Sequence, residues 1–385
     1  MKSVFIPCEY NPFHEGHAWQ IEYVRKNTGA DCVVSMMSGP FVQRGGPAVY
    51  GTYERAKAAT EGGSDLVILL PYAFCAQTAQ IFADGAVLTA ASCGADALAF
   101  GTEDPEKAPL MFRAARMLTD GSVRKKISEA SQGNTGYARA RIEVLSDICG
   151  EDMGFLSRPN NILGLEYIRA SLKHAPTLEL IPLPRKQGLL SASQIRDEMI
   201  KTGKGARWLR DYTQALAAFI MLSDDERLRN ICEYFDGLIP RLRNALPLLI
   251  RDPEAFLSAV NTAAVPSARI RRFLVNMLMG FTREDRNELS ARVPGYIRVL
   301  GIGEKGGDFL KDLKKDPCII TVTKPADAMK NGFEDPRDRR LFLMDMRAED
   351  LYSLPEGITG NGLRFTPYVK KSEMPIDKGV RADIF

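Results

Sequence analysis

KSVFIPCEYNPFHEGHAWQIEYVRKN, residues 2–27, holds three kinds of sequence in one line. KSVFIP (2–7) is a short apolar run of the kind that forms a buried strand. EYNPFHEGH (9–17) carries the turn formers Asn11, Pro12 and Gly16. HAWQIEYVRKN (17–27) then has its apolar residues at helical spacing. Strand, turn and helix in that order place the turn at the carboxyl edge of a sheet, where open α/β folds bind ligands. The chain contains 3 histidines, and His14 and His17 both lie in this turn.

The same grammar repeats through the first 200 residues. DCVVSMMS (31–38), DLVILLP (65–71), ADALAFG (95–101) and TLELIPL (177–183) are further short apolar runs bounded by Gly, Pro, Asp or Thr. Such near-continuous apolar runs are typical of buried parallel strands. Helical patterns such as TYERAKAATEG and AQIFADGAVLTAASCG lie between them. The alternation predicts an α/β domain, a doubly wound parallel sheet, over residues 1–204, with a helical insertion at about 105–175. KTGKG (201–205) reads as a linker. From 205 to 385 helical spacing dominates, so a mainly α-helical C-terminal domain is expected, with Pro240, Pro247, Pro253 and Pro266 punctuating its helices. It ends in a mixed tail with one strand-like run, CIITVTKP.

Composition narrows the class. At 385 residues, 45% hydrophobic and 26% charged, the chain is an ordinary globular sequence long enough for two domains. No apolar run approaches the roughly 18–20 residues of a membrane span. MKSVFIPCEYNP, with one lysine and a very short apolar stretch, is not expected to be a signal peptide. The 7 cysteines include no C-x-x-C pair, which speaks against a zinc site or a secreted disulfide framework and for a reducing cytoplasm. Residues 1–100 carry 6 Lys/Arg against 9 Asp/Glu, whereas residues 201–300 carry 16 against 11. The later segment is the better candidate for meeting a polyanion, although excess positive charge is also simply a solvated surface.

Several stretches lie where a sheet of this kind binds its ligand. His14 and His17 stand three apart at a helix start, whose free N–H groups and partial positive charge suit phosphate. Two histidines can equally ligate a metal, or one can merely cap the helix; a metal needs a third ligand, and His174 is far away in sequence. Gly16 lets a phosphate or purine approach the backbone. Arg44, in the glycine-rich loop GPFVQRGGPAVYG (39–51), suits an anionic group or belongs to a surface loop. Gly101, which ends the strand in LAFGTED (98–104), leaves room for a ligand or serves a turn. In RPNNILGLEYIR (158–169) one of Asn160 and Asn161 can cap the helix and leave the other for a ligand, or both can cap. LPRKQGLLSASQIR (183–196) brings Arg185 and Lys186 to a strand end, then Ser191, Ser193 and Arg196 to a helix start, a second anion cradle or a plain cap.

GIGEKGG (301–307) matches G-x-G-x-x-G at Gly301, Gly303 and Gly306. The match is weak without a surrounding βαβ series, and helices precede it. No Walker A sequence, Ser-His-Asp order or H-E-x-x-H occurs.

The motifs together resemble a family. His14-Glu15-Gly16-His17 is similar to the H-x-G-H signature of nucleotidylyl transferases and class I aminoacyl-tRNA synthetases. SASQIR (191–196) resembles the motif that closes the nucleotide site in the transferases, with Ala192 where a hydroxyl is usual. EYNPFHEGH, MSGPFVQRG, FADGAVLTAASCGADALAFGTE, RPNNILGLEYI and SASQIR, in this order before a helical domain, resemble bacterial tRNA(Met) cytidine acetate ligases. The resemblance covers most of the chain and is weakest over the last 80 residues.

That resemblance implies a Rossmann-like fold and an enzyme that activates acetate with ATP, giving acetyl-adenylate and pyrophosphate. The acetyl group then passes to the exocyclic amine of the wobble cytidine of elongator tRNA(Met), whose anticodon stem-loop the basic helical domain would hold. It implies ATP contacts at Pro7, Cys8, Glu9, Tyr10, Asn11, Pro12, Phe13, His14, Glu15, Gly16, His17, Ala18, Trp19 and Gln20. Further contacts fall at Gly101, Asn160 or Asn161, Arg185, Ser191 and Ser193. His14, His17, Arg44, Ser193 and Arg196 are the expected catalytic set, with Mg²⁺ accompanying the phosphates mainly through water. Three other readings compete: a small-molecule adenylyltransferase, an RNA-binding protein with a vestigial nucleotide site, and an oxidoreductase built around Gly301.

Overall fold

The computed structural model describes residues 1–132, 136–186, 188–202, 209–262, 265–357 and 361–370. The linker expected at 201–205 falls mostly outside them.

Ten strands are present among these residues: β1 (Ser3–Cys8), β2 (Cys32–Ser38), the hairpin pair β3 (Phe41–Val42) and β4 (Gly46–Pro47), β5 (Leu66–Leu70), β6 (Ala97–Gly101), β7 (Glu179–Leu183), β8 (Tyr296–Ile302), β9 (Ile320–Val322) and β10 (Tyr368–Val369). Eight of them form one sheet in the order β10-β8-β5-β2-β1-β6-β7, with β9 also on β8. β5, β2, β1, β6 and β7 are all parallel. Their spatial order is third, second, first, fourth, fifth, which is the doubly wound arrangement with its switch point between β1 and β6.

The alternation within β1 explains its burial on both sides. Phe5 faces the core with Val34, Ile68, Leu98 and Phe100, while Val4 and Ile6 face the other with Ile21, Val24, Val33 and Ala99. The first core is closed by helices Ala79–Ser92 and Pro159–His174, the second by helix Glu15–Thr28. Between β6 and β7 the chain makes helices Ala108–Met117, Gly121–Ala130, Tyr137–Cys149 and Pro159–His174.

Beyond residue 209 five helices, from Thr213–Leu222 to Ser267–Met279, enclose their own core around Leu216, Leu242, Phe256, Phe273 and Leu274. Pro247 lies inside helix Leu238–Arg251 and does not end it. The chain then returns to the sheet: β8 runs antiparallel to β5, and β9 and β10 run parallel to β8. A boundary at residue 204 therefore cuts the sheet, because its β8 edge is built from the C-terminal part. The apolar RVLGI segment is a strand, and with helix Gly306–Leu313 and β9 it forms the βαβ unit that the sequence did not reveal.

The three glycines of that unit do not form a dinucleotide site. A Cβ on Gly301 would strike Thr60 Oγ1, one on Gly303 the Ser64 carbonyl, and one on Gly306 the Asp65 carbonyl. The Gly303 N–H donates to the Asp65 carbonyl at 2.7 Å, and Asp65 Oδ1 lies 3.4 Å from the Lys305 amide. The glycines exist for close packing against residues 60–65, with no space for a pyrophosphate.

Helix Pro336–Ser353 fastens the returning chain to the sheet. Buried Asp345 accepts from the Tyr72 N–H at 2.8 Å and from the Tyr296 hydroxyl at 2.6 Å. Burial raises its carboxyl to about 6, against the lowering pull of those two hydrogen bonds.

Candidate active site

β1 ends at Cys8, and the chain must turn sharply to begin helix Glu15–Thr28. Tyr10 takes a positive φ of 47°, a conformation uncommon for a bulky side chain and held here by its surroundings. Its ring is buried and its hydroxyl bonds Ser35 Oγ at 2.8 Å. Asn11 Oδ1 accepts from the Val49 N–H at 2.8 Å, joining this turn to the loop 39–51. Arg55, 1% exposed, completes the frame. Its guanidinium donates to the carbonyls of Glu9 (2.6 Å), Ser38 (3.1 Å), Gly39 (2.6 Å) and Tyr50 (3.0 Å). A buried cation is tolerable only when so fully bonded, and this one clamps the carboxyl ends of β1 and β2. Nothing in its sequence neighbourhood announces the role.

On this frame His14 caps the helix. Its Nδ1 accepts from the Gly16 N–H at 3.0 Å, so the proton of the neutral ring resides on Nε2. Gly16 owes its identity to this bond: a Cβ there would stand 2.8 Å from His14 Cε1. The sequence suggested that Gly16 admits the ligand; the structure shows first that it admits the His14 ring. His17 stacks on His14 with ring centroids 3.8 Å apart, and Tyr10 and Phe13 flank it at 4.8 and 5.8 Å. Burial, then His14 and Arg185, push His17 down to about 3. Burial, then Arg185 and Arg196, also lower His14. Both rings are neutral at pH 7 and act as hydrogen-bonding groups.

Arg196 crosses from helix Ala192–Thr202 to this turn. It donates to the Asn11 carbonyl at 2.6 Å and to Ser193 Oγ at 2.9 Å. Ser191 is occupied by capping: its N–H and hydroxyl donate to Gln194 Oε1 at 2.8 and 2.9 Å, and Gln194 N–H returns to Ser191 Oγ at 3.3 Å. Ser193 is exposed. Arg44 is exposed at the β3–β4 turn, and its charge acts on Arg196. Next to it Gly45 has φ 76°, and a Cβ there would run into the Arg272 amide of helix Ser267–Met279. The loop bearing Arg44 is thus seated on the helical part of the molecule.

At β6 the expected pair of amides divides. Neither Asn160 nor Asn161 is the N-cap; Arg158 is, without a side-chain cap. Asn161 is fully buried, with Oδ1 accepting from Thr102 Oγ1 (2.5 Å) and Glu103 N–H (3.0 Å), and Nδ2 donating to Asp104 (2.6 Å) and the Phe155 carbonyl (3.0 Å). All its polar atoms serve the interior, because the tight turn after Gly101 needs them. Asn160 is the half-buried amide. Glu103 provides the missing cap, accepting from the Asn160 N–H (3.2 Å), Asn160 Nδ2 (2.9 Å) and the Asn161 N–H (3.1 Å). Arg185 lies 3.8 Å from Glu103 and is half exposed. Gly101 has only Gln20 Nε2 near its Cβ position, at 3.8 Å.

The other residues of the expected segment also have partners within the protein. Pro7 pairs with Met36 in the sheet, the Cys8 thiol donates to the Met36 carbonyl, and the Phe13 ring packs against Gly62. Glu9 accepts from the Gln43 N–H at 2.8 Å, the Trp19 ring lies 4.9 Å from Tyr23, and Glu15 is exposed. Ala18 donates its N–H to the His14 carbonyl. His174 pairs with Asp84 at 3.4 Å, apart from the cleft residues. Among the described residues no group of three or more His, Cys, Asp or Glu side chains is placed to hold a metal ion.

Stacked imidazoles, two arginines and two helix starts thus meet at one sheet edge, an arrangement suited to anions. The profile of the HIGH nucleotidyl transferases matches residues 1–210 and 188–361. The tRNA(Met) cytidine acetate ligase of Geobacillus sp. (strain WCH70) is 31% identical over 94% of this chain and 98% of its own. That of Acetivibrio thermocellus is 30% identical over 91% of this chain and 94% of its own. This chain belongs to the tRNA(Met) cytidine acetate ligase family. The structure of Thermotoga maritima TmcAL bound with alpha-thio ATP superposes with a TM-score of 0.86 at 27% identity, covering 96% of this chain and 99% of that one. Its apo form gives 0.85 at 26%. The family match spans both halves of the chain, including β8 and β9, which return to the sheet.

Proposed function

We propose that this protein is an ATP-dependent ligase that converts acetate to acetyl-adenylate and transfers the acetyl group to the exocyclic amine of the wobble cytidine of elongator tRNA(Met). The observation that carries the reading is the meeting of neutral His14 and His17 with Arg185 and Arg196 beyond the carboxyl end of β1.

In the first step an acetate oxygen attacks the α-phosphorus and the bond to pyrophosphate breaks. Negative charge shifts to the bridging oxygen and the departing group. The Nε2–H of His14, the guanidinium of Arg196 and the N–H groups of the helix beginning at Ala192 are fixed before ATP arrives, so they stabilise that charge without reorganising. Arg44 and Ser193 stand at the open side, where they can meet the pyrophosphate. In the second step the cytidine amine attacks the acetyl carbonyl, AMP leaves as the anhydride bond breaks, and the amine loses a proton. Positioning of the base and exclusion of water are what this step asks of the protein.

Mg²⁺ travels with ATP. No carboxylate cage for it exists among the described residues, so the ion would be held by phosphate oxygens and water. The basic helical region fits the anticodon stem-loop, gripping phosphates in a salt-dependent way. No helix among the described residues is long and apolar enough to cross a membrane, and the cytoplasm, with its ATP and tRNA, is the proposed place of action.

Acetate-dependent exchange of radiolabelled pyrophosphate into ATP, without tRNA, tests the first step. Exchange that needs acetate supports it; exchange that is absent, or that ignores acetate, overturns it.

A further inference from the structure

Glu103 joins two residues that reach the nucleotide cleft from different elements. Its carboxylate takes both N–H groups of Asn160 and the backbone N–H of Asn161, and the Arg185 guanidinium lies 3.8 Å from the same oxygen that Asn160 uses. Its own N–H donates to Asn161 Oδ1 at 3.0 Å, so the turn and the helix start hold each other reciprocally. The Glu103 side chain is 15% exposed and Arg185 50%. The carboxylate is thus a largely buried anchor, and the guanidinium is the arm that reaches into solvent.

The placement has an electrostatic consequence. A helix start with free N–H groups attracts anions. At helix Pro159–His174 that position is already filled by a carboxylate, so a phosphate gains nothing there. At helix Glu15–Thr28 the cap is a neutral imidazole, and at helix Ala192–Thr202 it is a serine with Arg196 nearby.

We propose that Glu103 is a positioning residue of this ligase: it fixes Asn160 and Arg185 in the geometry that receives ATP. The inference rests on the ATP-dependent reading given above. Its described contacts are with Asn160, Asn161 and Arg185, so it acts through the amide and the guanidinium. Without it Arg185 loses its anchor and Asn160 its rotamer, and ATP must order both on binding.

The test is calorimetric titration of ATP into the full chain and into Glu103→Ala, Glu103→Gln, Arg185→Ala and the double variant Glu103→Ala/Arg185→Ala, with thermal unfolding of each. Glu103→Ala weakens ATP binding about tenfold or more, the scale of a lost charge-assisted hydrogen bond. Glu103→Gln, which keeps acceptor oxygen but no charge, weakens it less. The double variant binds no worse than about threefold below Arg185→Ala, because the two act as a unit. A purely structural cap would lower the unfolding temperature and leave the dissociation constant, measured well below unfolding, unchanged. That result, or losses that simply add, overturns the proposal; if Glu103→Ala does not fold, unchanged affinity in Glu103→Gln does so. A wild-type chain that fails to bind ATP overturns the ligase reading itself.

Discussion

The imidazole of His17 lies against that of His14, centroids 3.8 Å apart, and the His14 ring is in turn locked by the Gly16 amide. The two rings pack on each other, and the Nε2–H of His14 is aimed before any ligand arrives. The glycine between them is the hinge of the arrangement.

Replacing that glycine tests it. In Gly16→Ala the new methyl displaces the His14 ring by a few tenths of an ångström at the least. A misplacement approaching 1 Å at a reacting centre costs about 100-fold in rate. Acetate-dependent pyrophosphate exchange should fall by several-fold, and by at most about that factor, while circular dichroism is unchanged. Near-wild-type turnover in a folded Gly16→Ala protein would show that His14 is not aimed by this bond.

The pH profile follows from the two lowered imidazoles. Burial, His14 and Arg185 take His17 to about 3, and burial, Arg185 and Arg196 lower His14. Neutral rings are the working form, so kcat/KM for ATP should stay flat as pH falls from 8 to about 6, with its acid limb below the ordinary imidazole value of about 6.5. Arg185→Ala removes a cation beside both rings and should move that limb upward. A wild-type inflection at 6.5 or above contradicts the assignment.

Asp345 and His17 set opposite slopes of stability with pH. Asp345 is raised from 3.8 to about 6. Its contribution is fully present below about 4 and is lost as pH rises through 6. His17 is lowered from 6.5 to about 3, so its contribution is present above about 6.5 and is lost as pH falls towards 3. Between pH 4 and 6 the two nearly cancel. Asp345→Asn should therefore make the unfolding free energy climb with pH by about 1.4 kcal/mol per unit more than wild type over that window. Urea titrations at pH 4, 5 and 6 measure it; parallel profiles would refute the Asp345 shift.

Gly45 joins the cleft to the helical part of the chain. Its positive φ of 76° and its contact with the backbone of Arg272 leave no space for a methyl. Gly45→Ala should lose more than about 2 kcal/mol of stability, from left-handed strain of about 1–2 kcal/mol plus the clash. It should also slow turnover by shifting Arg44. Denaturant titration and a steady-state assay check both effects, and an unaltered stability would mean that the hairpin is not seated there.

Much of this was legible from the sequence because it is local. β1, β2, β5 and β6 are buried along most of their length, so each appears as a nearly continuous apolar run, and β7, half-buried at the sheet edge, still ends in the apolar LIPL. His14, Gly16, His17, Ser191 and Arg196 sit in short motifs at helix starts. What escaped is held by long-range partners. β8 pairs antiparallel with β5 far upstream, and its glycines imitate a nucleotide motif while serving close packing. Arg55 looks like any basic residue of an amphipathic helix, yet four carbonyls surround it, three of them distant in sequence. Asn160 and Asn161 are indistinguishable as letters; only the Glu103–Asn161 turn separates the buried amide from the accessible one.

The cleft at His14 and His17 is proposed to couple cleavage of ATP to AMP and pyrophosphate with acetylation of a tRNA base. Nucleoside mass spectrometry of elongator tRNA(Met), after incubation with the protein, ATP and acetate, measures it most directly. N(4)-acetylcytidine and AMP should form only when both ATP and acetate are present, and neither should form with His17→Ala. Acetylcytidine formed from acetyl-CoA without ATP would contradict this coupling.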